Sequence, residues 1–454
     1  MSMANITELA KRITEMDRSP AWKRPRKRGC LGRRARGGMS IAAIPCAMGS
    51  ERETGSDQMF SRGTAGCAAT FVWGDGYLGY DFGEHPMTPV RLDLTVSLAR
   101  ELGVLDHLTV IEPHPTDRAQ LLEVHSPDYL DAIRAASADP GYVGFGLGSA
   151  DNPVFEGMFE AASLIAGGSR MAALDVWSGR SQHAVNIAGG LHHAMRDSAA
   201  GFCVINDVVV AIRALLDAGA QRIAYVDIDV HHGDGVQAAF YDDPRVLTLS
   251  VHQDPRTLYP GTGTATETGT GAGEGTAVNL AVPPGTADDG WLRAFNAVVP
   301  SAVTAFRPEI LVTQCGCDTH HEDPLADLAL TVDGQRAAYA ALHQLAHRAA
   351  GGKWLALGGG GYGALRCVPR TWTHLLAEVS GRPLRPDTEI PPSWSRNLRS
   401  RGVTTTLPET MGEGRTPAPE LWMPGGESWL DRSIWATRNA SFPLLGLDPQ
   451  DPRD

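Results

Sequence analysis

Asp227, Asp229 and His231 stand at alternate positions of an otherwise apolar run, Arg222-Ile-Ala-Tyr-Val-Asp-Ile-Asp-Val-His-His-Gly-Asp-Gly235. A strand alternates its side chains with period two. A strand over Ile223–Val230 would therefore point the three polar groups to one face and Val226, Ile228 and Val230 to the other. Burying two carboxylates beside an imidazole is costly unless a counter-ion compensates. The pattern thus predicts a divalent cation at the carboxyl end of this strand; the competing reading is a strand that runs out into a solvated acidic loop.

The surrounding sequence repeats the same arrangement. Short β-like runs occur at Thr70–Trp73, Thr109–Glu112, His183–Ile187, Val246–His252, Ala277–Val282, Ile310–Cys315 and Trp354–Leu357. Helical patterns lie between them, one opening at Asn206 and closing at Gly219, another running from Asp333 to Gly351. This alternation predicts an α/β fold: one large domain whose mostly parallel sheet carries helices on both faces. In such sheets the working residues gather at the carboxyl ends of the strands. The conspicuous polar segments 188–193, 229–234, 317–321 and 358–362 each follow a strand.

The domain is expected to span residues 66–380. Residues 1–65 carry a basic cluster, Lys23 to Arg36, and are expected to form a disordered arm, with Met59 as an alternative start. The charged leader is too long for a secretory signal, and Pro45 interrupts the apolar run Ile41–Ala47. Beyond residue 380 a series of prolines, from Pro383 to Pro419, should break regular structure, leaving a tail (381–454) that wraps the core or dangles, with Trp422, Trp429, Trp435 and Phe442 as anchors.

Within 454 residues the formal charge is −12, which argues against nucleic acid as a partner, since phosphate contact needs clustered Lys and Arg. No apolar stretch approaches the roughly 18 residues of a membrane span. Seven cysteines without a Cys-x-x-Cys pair read as a reducing, cytoplasmic setting. The sequence leaves the oligomeric state open.

Leu311-Val-Thr-Gln-Cys-Gly-Cys-Asp318 is a second apolar strand ending in an acid. Asp318 would complete an Asp229–His231–Asp318 ligand set with positions open for water and substrate. Imidazole favours zinc, although ferrous iron or manganese tolerates the same ligands. His192 and His193 follow a glycine turn and suit proton transfer, with Asp227 and Asp234 available to orient them. Gly358-Gly-Gly-Gly-Tyr362 lacks the Lys-Ser/Thr of a phosphate loop and reads as a hinge that carries the Tyr362 hydroxyl towards an oxyanion. His320 and His321 are rival ligands by residue type but read as rim residues of a polar loop. His343-Gln-Leu-Ala-His347 has the helical spacing of a metalloprotease but lacks its glutamate, and reads as a solvated helix face.

Taken in order, His85-Pro-Met-Thr-Pro-Val-Arg91, Asp151-Asn-Pro, Gly189 to His193, Gly201-Phe-Cys203, Asp227 to Gly235, Tyr259-Pro-Gly-Thr-Gly263, Gln314 to Asp318 and Gly358 to Tyr362 resemble the histone deacetylase family, of the arginase/deacetylase superfamily, and its bacterial acetoin-utilisation branch in particular. The resemblance covers roughly residues 70–380. It implies an eight-stranded parallel sheet, in agreement with the eight candidate strands, and zinc-dependent hydrolysis of N-acetyl-lysine in proteins. It makes Asp229, His231 and Asp318 the zinc ligands, pairs His192 with Asp227 and His193 with Asp234, and makes Tyr362 catalytic. Asp151 is then the substrate-positioning acid, and Gly201, Phe202, Tyr259 and Leu325 border the acyl-lysine channel. Arg91 corresponds to an internal product channel. Ser250 and the backbone around Asp227 to His231 match a structural potassium site. An acetylated acyl-CoA synthetase is the partner implied by the branch. The sequence departs at Asp323-Pro324, where members under inositol phosphate control have an Asp-Arg-Leu segment, which argues against that control here. An acetylpolyamine amidohydrolase fits the same channel, and a non-catalytic acyl-lysine binder is the alternative outside enzymes.

Overall fold

The computed structural model describes residues 68–454; the expected basic arm, with Cys30 and Cys46, lies outside the described residues, as does Cys67. The described residues open with β1 (Ala69–Val72), α1 (Val90–Glu101), β2 (Thr109–Ile111), α2 (Arg118–Leu122), α3 (Pro127–Ala138) and α4 (Met158–Trp177). The centre follows as β3 (His183–Asn186), α5 (Asp207–Asp217), β4 (Ile223–Asp227), α6 (Asp234–Phe240), β5 (Val246–Gln253) and β6 (Ala277–Val282). Then come α7 (Asp288–Phe306), β7 (Ile310–Gln314), α8 (Val332–Ala349), β8 (Trp354–Leu357), α9 (Val368–Val379), α10 (Pro392–Ser400) and α11 (Trp429–Ser441).

The eight strands form one sheet in the order β2-β1-β3-β8-β7-β4-β5-β6, and every neighbouring pair is parallel. Consecutive residues of β3, β4, β5, β7 and β8 are all buried. Since alternate residues face opposite sides, helices must cover both faces. Only β2, at one edge, is largely exposed. The order makes β3, β8, β7 and β4 contiguous, so the four loops leaving their carboxyl ends meet above the middle of the sheet.

Local signals placed the helices well. Asn206 caps α5 by accepting the Val209 N–H at 3.1 Å, and Thr331 caps α8 through the Gly334 N–H. Strand β4 is shorter than expected: it ends at Asp227 rather than Val230. Up to Asp227 both neighbours supply ladder partners, Ser250 and Gln314. Beyond it the aspartates bond their own backbone, Asp227 accepting the Asp229 N–H at 3.1 Å and Asp229 the His231 N–H at 3.0 Å. Turns closed by Asp side chains take over from the ladder, which survives only as the Ile228 N–H to Gln314 and Gln253 N–H to Val230 bonds, so Asp229 and His231 project from a loop.

The segment after residue 380 also departs from expectation, because it contains α10 and α11. Prolines sit at the start of α10, where no N–H is needed, and Ser428 with Asp431 forms a capping box for α11. Trp394, Leu398, Val403 and Met411 pack against Val90, Leu94 and Leu98 of α1 as a second small core. Trp422 and Phe442 are buried anchors as expected, whereas Trp429 and Trp435 are more than a third exposed. Buried Arg438 stacks on both anchors and donates to the carbonyls of Ala297 and Asp451.

Glu413 ties this segment to the carboxyl end of the sheet, accepting from Arg370 at 2.7 Å and lying 3.2 Å from His320 Nε2. Burial alone would raise its carboxyl, but hydrogen bonds and charge from His320 and Arg370 hold it at about 2. A depressed carboxyl stabilises the fold fully above its ordinary value of 4.5 and ceases to do so as pH falls towards 2. Glu413→Gln should cost about 3–5 kcal/mol in denaturant unfolding, because it strands two buried cations, and should flatten that acid limb of stability against pH.

Candidate active site

One carboxylate oxygen each of Asp229 and Asp318 and one ring nitrogen of His231 lie within 4.8 Å of one another. His231 Nδ1 is 3.1 Å from Asp229 Oδ1 and 3.2 Å from Asp318 Oδ2. Both aspartates are essentially inaccessible to solvent. Their remaining oxygens are occupied: Asp229 accepts from Gln314 Nε2 at 2.7 Å and the Gly360 N–H at 2.8 Å, and Asp318 from the Val230 N–H at 3.0 Å. What is left is a set of lone pairs aimed at one point.

The electrostatics show what that point needs. Burial and the charge of Asp229 push the Asp318 carboxyl up to about 6. Burial opposes protonation of His231, yet its hydrogen bonds to Asp229 and Asp318 lift it to about 10. A cluster that draws a proton so strongly is short of positive charge, and a divalent cation meets that need with the same donors. A Cβ on Gly360 would stand 2.0 Å from Asp318 Oδ2, so only glycine closes the cradle there. These residues fit a zinc-type ion.

His192 and His193 sit beside this cluster, as the sequence pattern expected. His192 Nδ1 lies 2.7 Å from Asp227 Oδ2, and His193 Nδ1 lies 2.6 Å from Asp234 Oδ1. Their Nε2 atoms are 3.1 Å apart, close enough to share a single proton. Burial lowers both, but the charges of Asp227 and Asp229 and the Asp227 hydrogen bond lift His192 to about 9. Burial and the adjacent His192 cation hold His193 at about 4. His192 is therefore the charged partner and His193 the neutral one.

Tyr362 follows the glycine loop after β8 and shares the pocket lined by Met87, Leu191, Phe202, Cys203 and the two histidines. The Phe202 ring stands edge-on to Tyr362, centroids 5.6 Å apart. Gly201 has φ +51°, and a Cβ on it would lie 2.4 Å from His193 Cδ2, so the backbone at Gly201 abuts the His193 ring directly. Tyr259 is 41% exposed and edge-on to His193 at 5.1 Å, which sets it at the mouth. Asp151 is exposed and near enough for its charge to act on Tyr259. Leu325 is half-buried and does not line the inner pocket. Arg91 is buried under the glycine loop and donates to the carbonyls of Gly359, at 2.7 Å, and Gly361.

Two roles escaped the sequence reading. Asp323 accepts the backbone N–H of Tyr362 at 2.8 Å and of Leu325 at 3.0 Å, pinning the tyrosine loop to the ligand loop. Tyr225 donates to Asp227 at 2.6 Å and shares its oxygen with His192. Tyr225 stands two residues before Asp227 on one strand, and that spacing was a usable signal; nothing local ties Asp323 to Tyr362. Two other readings are corrected. His320 is no rim residue but is buried against Glu413, because the C-terminal segment covers it; His321 remains exposed. His343 is buried as well, because α8 turns that face to β8 rather than to solvent.

The His192–His193 pair titrates as a unit and holds one proton between about pH 4 and about 9. Turnover, measured as kcat/KM against pH, should have its plateau inside that window. Asp227→Asn removes the charge that lifts His192, so the alkaline limb should move towards neutrality; a limb that stays put would detach His192 from it.

Residues 85–379 match the histone deacetylase domain. The chain is 41% identical over 331 residues to the acetoin utilization protein AcuC of Bacillus subtilis (strain 168), an alignment covering 72% of this chain and 85% of that protein. It is 34% identical over 351 residues to AcuC of Staphylococcus xylosus, covering 76% and 90%, and 33% identical over 320 residues to AcuC of Staphylococcus aureus (strain MRSA252), covering 69% and 82%. The matched span runs through β8 and α9 and includes every residue of the metal cradle and the histidine pair. Similarity of this extent, centred on that cradle, establishes the lineage: the chain belongs to the histone deacetylase family.

Proposed function

We propose that this deacetylase hydrolyses the acetyl amide of N-acetyl-lysine in proteins, releasing acetate and the free lysine amine. The observation that carries the reading is the convergence of a buried Asp–His–Asp cradle with an acid-held histidine pair and a tyrosine in one pocket. Asp229, His231 and Asp318 would hold a divalent cation, zinc by their chemistry and ferrous iron as the alternative, which supplies Lewis acidity towards the amide carbonyl and the attacking water.

The chain's own groups handle the protons. His193 Nε2, neutral and steadied by Asp234, takes the proton of the water as its oxygen bonds to the acetyl carbon, and returns one to the departing lysine nitrogen as the C–N bond breaks. His192, kept charged by Asp227, offsets the negative charge that builds up beside it. The Tyr362 hydroxyl donates to the tetrahedral oxyanion; burial and the charges of Asp318 and Asp229 push its pKa well up, which keeps the proton on it. Phe202 and Tyr259 offer aromatic faces to the lysine methylenes, and Asp151 at the rim can accept a substrate backbone N–H.

The names of the relatives support a place in acetoin utilisation, with an acetylated acyl-CoA synthetase as the natural protein substrate. No described helix is long and apolar enough to cross a membrane. The free, buried Cys203, Cys315, Cys317 and Cys367 agree with a cytoplasmic setting. Ser250, paired with Asp227 across the sheet, is the residue around which a structural potassium site would form.

Tyr362→Phe should lower kcat about 100- to 1000-fold, the cost of one oxyanion donor, with metal content unchanged. Acetate release from an acetyl-lysine peptide should stop with a chelator and return with zinc. Faster turnover of acetylspermidine than of the peptide would replace protein by polyamine as the substrate class.

A further inference from the structure

At the opposite end of the sheet, the amino ends of β3 and β8, three histidines meet. His183 is the first residue of β3, and His343 and His347 lie one turn apart on α8. One nitrogen of each ring is within 4.8 Å of one from each of the others. The His183 ring is 4.7 Å from that of His343 and 5.2 Å from that of His347, centroid to centroid.

The hydrogen bonds decide which nitrogens are free to bind. His183 Nδ1 lies 2.8 Å from the carbonyl of Val379. A carbonyl only accepts, so Nδ1 carries the proton and Nε2 of the neutral ring holds a bare lone pair. That Nε2 is buried and has no hydrogen-bond partner, and the residue is fully enclosed. His343 repeats the arrangement: Nδ1 lies 2.8 Å from Glu378 Oε1, and Nε2 faces His347 Nε2 at 3.1 Å. A backbone carbonyl and a carboxylate behind the rings are the partners that orient metal-binding imidazoles. A tetrahedral ion about 2.0–2.1 Å from each nitrogen sets neighbouring nitrogens a little over 3 Å apart, close to the His343–His347 spacing. Trp354 stacks on His343, planes 16° apart, and gives its own N–H to Thr313, so it walls the cluster without competing for it.

We propose that His183, His343 and His347 form a second metal site that takes a zinc-class divalent cation. Three imidazoles without a carboxylate select zinc, cobalt, nickel or copper over magnesium and calcium. The ion joins β3 to α8 and, through Val379 and Glu378, to the end of α9, so its role is structural. It stands apart from the Asp–His–Asp cradle, which occupies the carboxyl ends of the same strands.

The test is the zinc content of the full-length protein after equilibration with zinc and removal of loose ion. Wild type should hold two ions per chain. Asp318→Ala should keep one, and Asp318→Ala with His347→Ala should keep none. His347 is only half-buried, so His347→Ala alone should fold and retain deacetylation with one ion lost. Added zinc should raise the thermal midpoint of Asp318→Ala and leave that of the double variant unmoved. A folded Asp318→Ala protein that binds no zinc, or a wild-type stoichiometry untouched by His347→Ala, would reduce the cluster to hydrogen-bonded packing and overturn the proposal.

Discussion

The crowding of Asp229 and Asp318 is the constraint to which the rest of the active end answers. Two carboxylates removed from water repel one another at a cost that only a cation or a full set of donors can offset. The structure supplies the donors, and the Asp–His–Asp cradle has the chemistry to take the cation. Gln314 and the backbone N–H groups of Gly360 and Val230 take the outer oxygens, and the inner oxygens face the space left for an ion. Because those donors come from the ends of β7 and β8 and from the loop after β4, satisfying the acids also fixes how these loops lie against each other.

The histidine pair shows the same principle used for selectivity between two like groups. His192 and His193 are neighbours in sequence, equally enclosed and each held by an aspartate, yet one is driven towards charge and the other away from it. The difference lies in the company. Asp227 and Asp229 both act on His192, whereas His193 has Asp234 and must live beside a cation. A neutral and a charged imidazole thus arise from identical side chains through placement alone.

Much of this was legible in the sequence. The eight strands were readable from apolar runs, and the ligand, histidine and tyrosine segments from their places just after those runs, since a parallel sheet collects function at one end. The end of β4 was not readable, because an Asp that continues a strand and an Asp that closes a turn on its own backbone have the same letter in the same pattern. The C-terminal segment misled through its prolines, which at the start of α10 initiate a helix rather than break one. His320 and His343 looked solvated because their partners, Glu413 and Glu378, lie 93 and 35 residues away; pairing at that range leaves no trace in local composition.

The reach of Glu413 back to His320 has a consequence for where this catalytic unit ends. His320 stands two residues after Asp318, so the segment that looks dispensable braces the loop that carries Asp318. A fragment trimmed to residues 66–380 would keep the Asp–His–Asp cradle, the histidine pair and Tyr362 and yet leave that loop without its brace. The smallest portion of the chain that keeps this loop braced therefore extends past Glu413, well beyond α9.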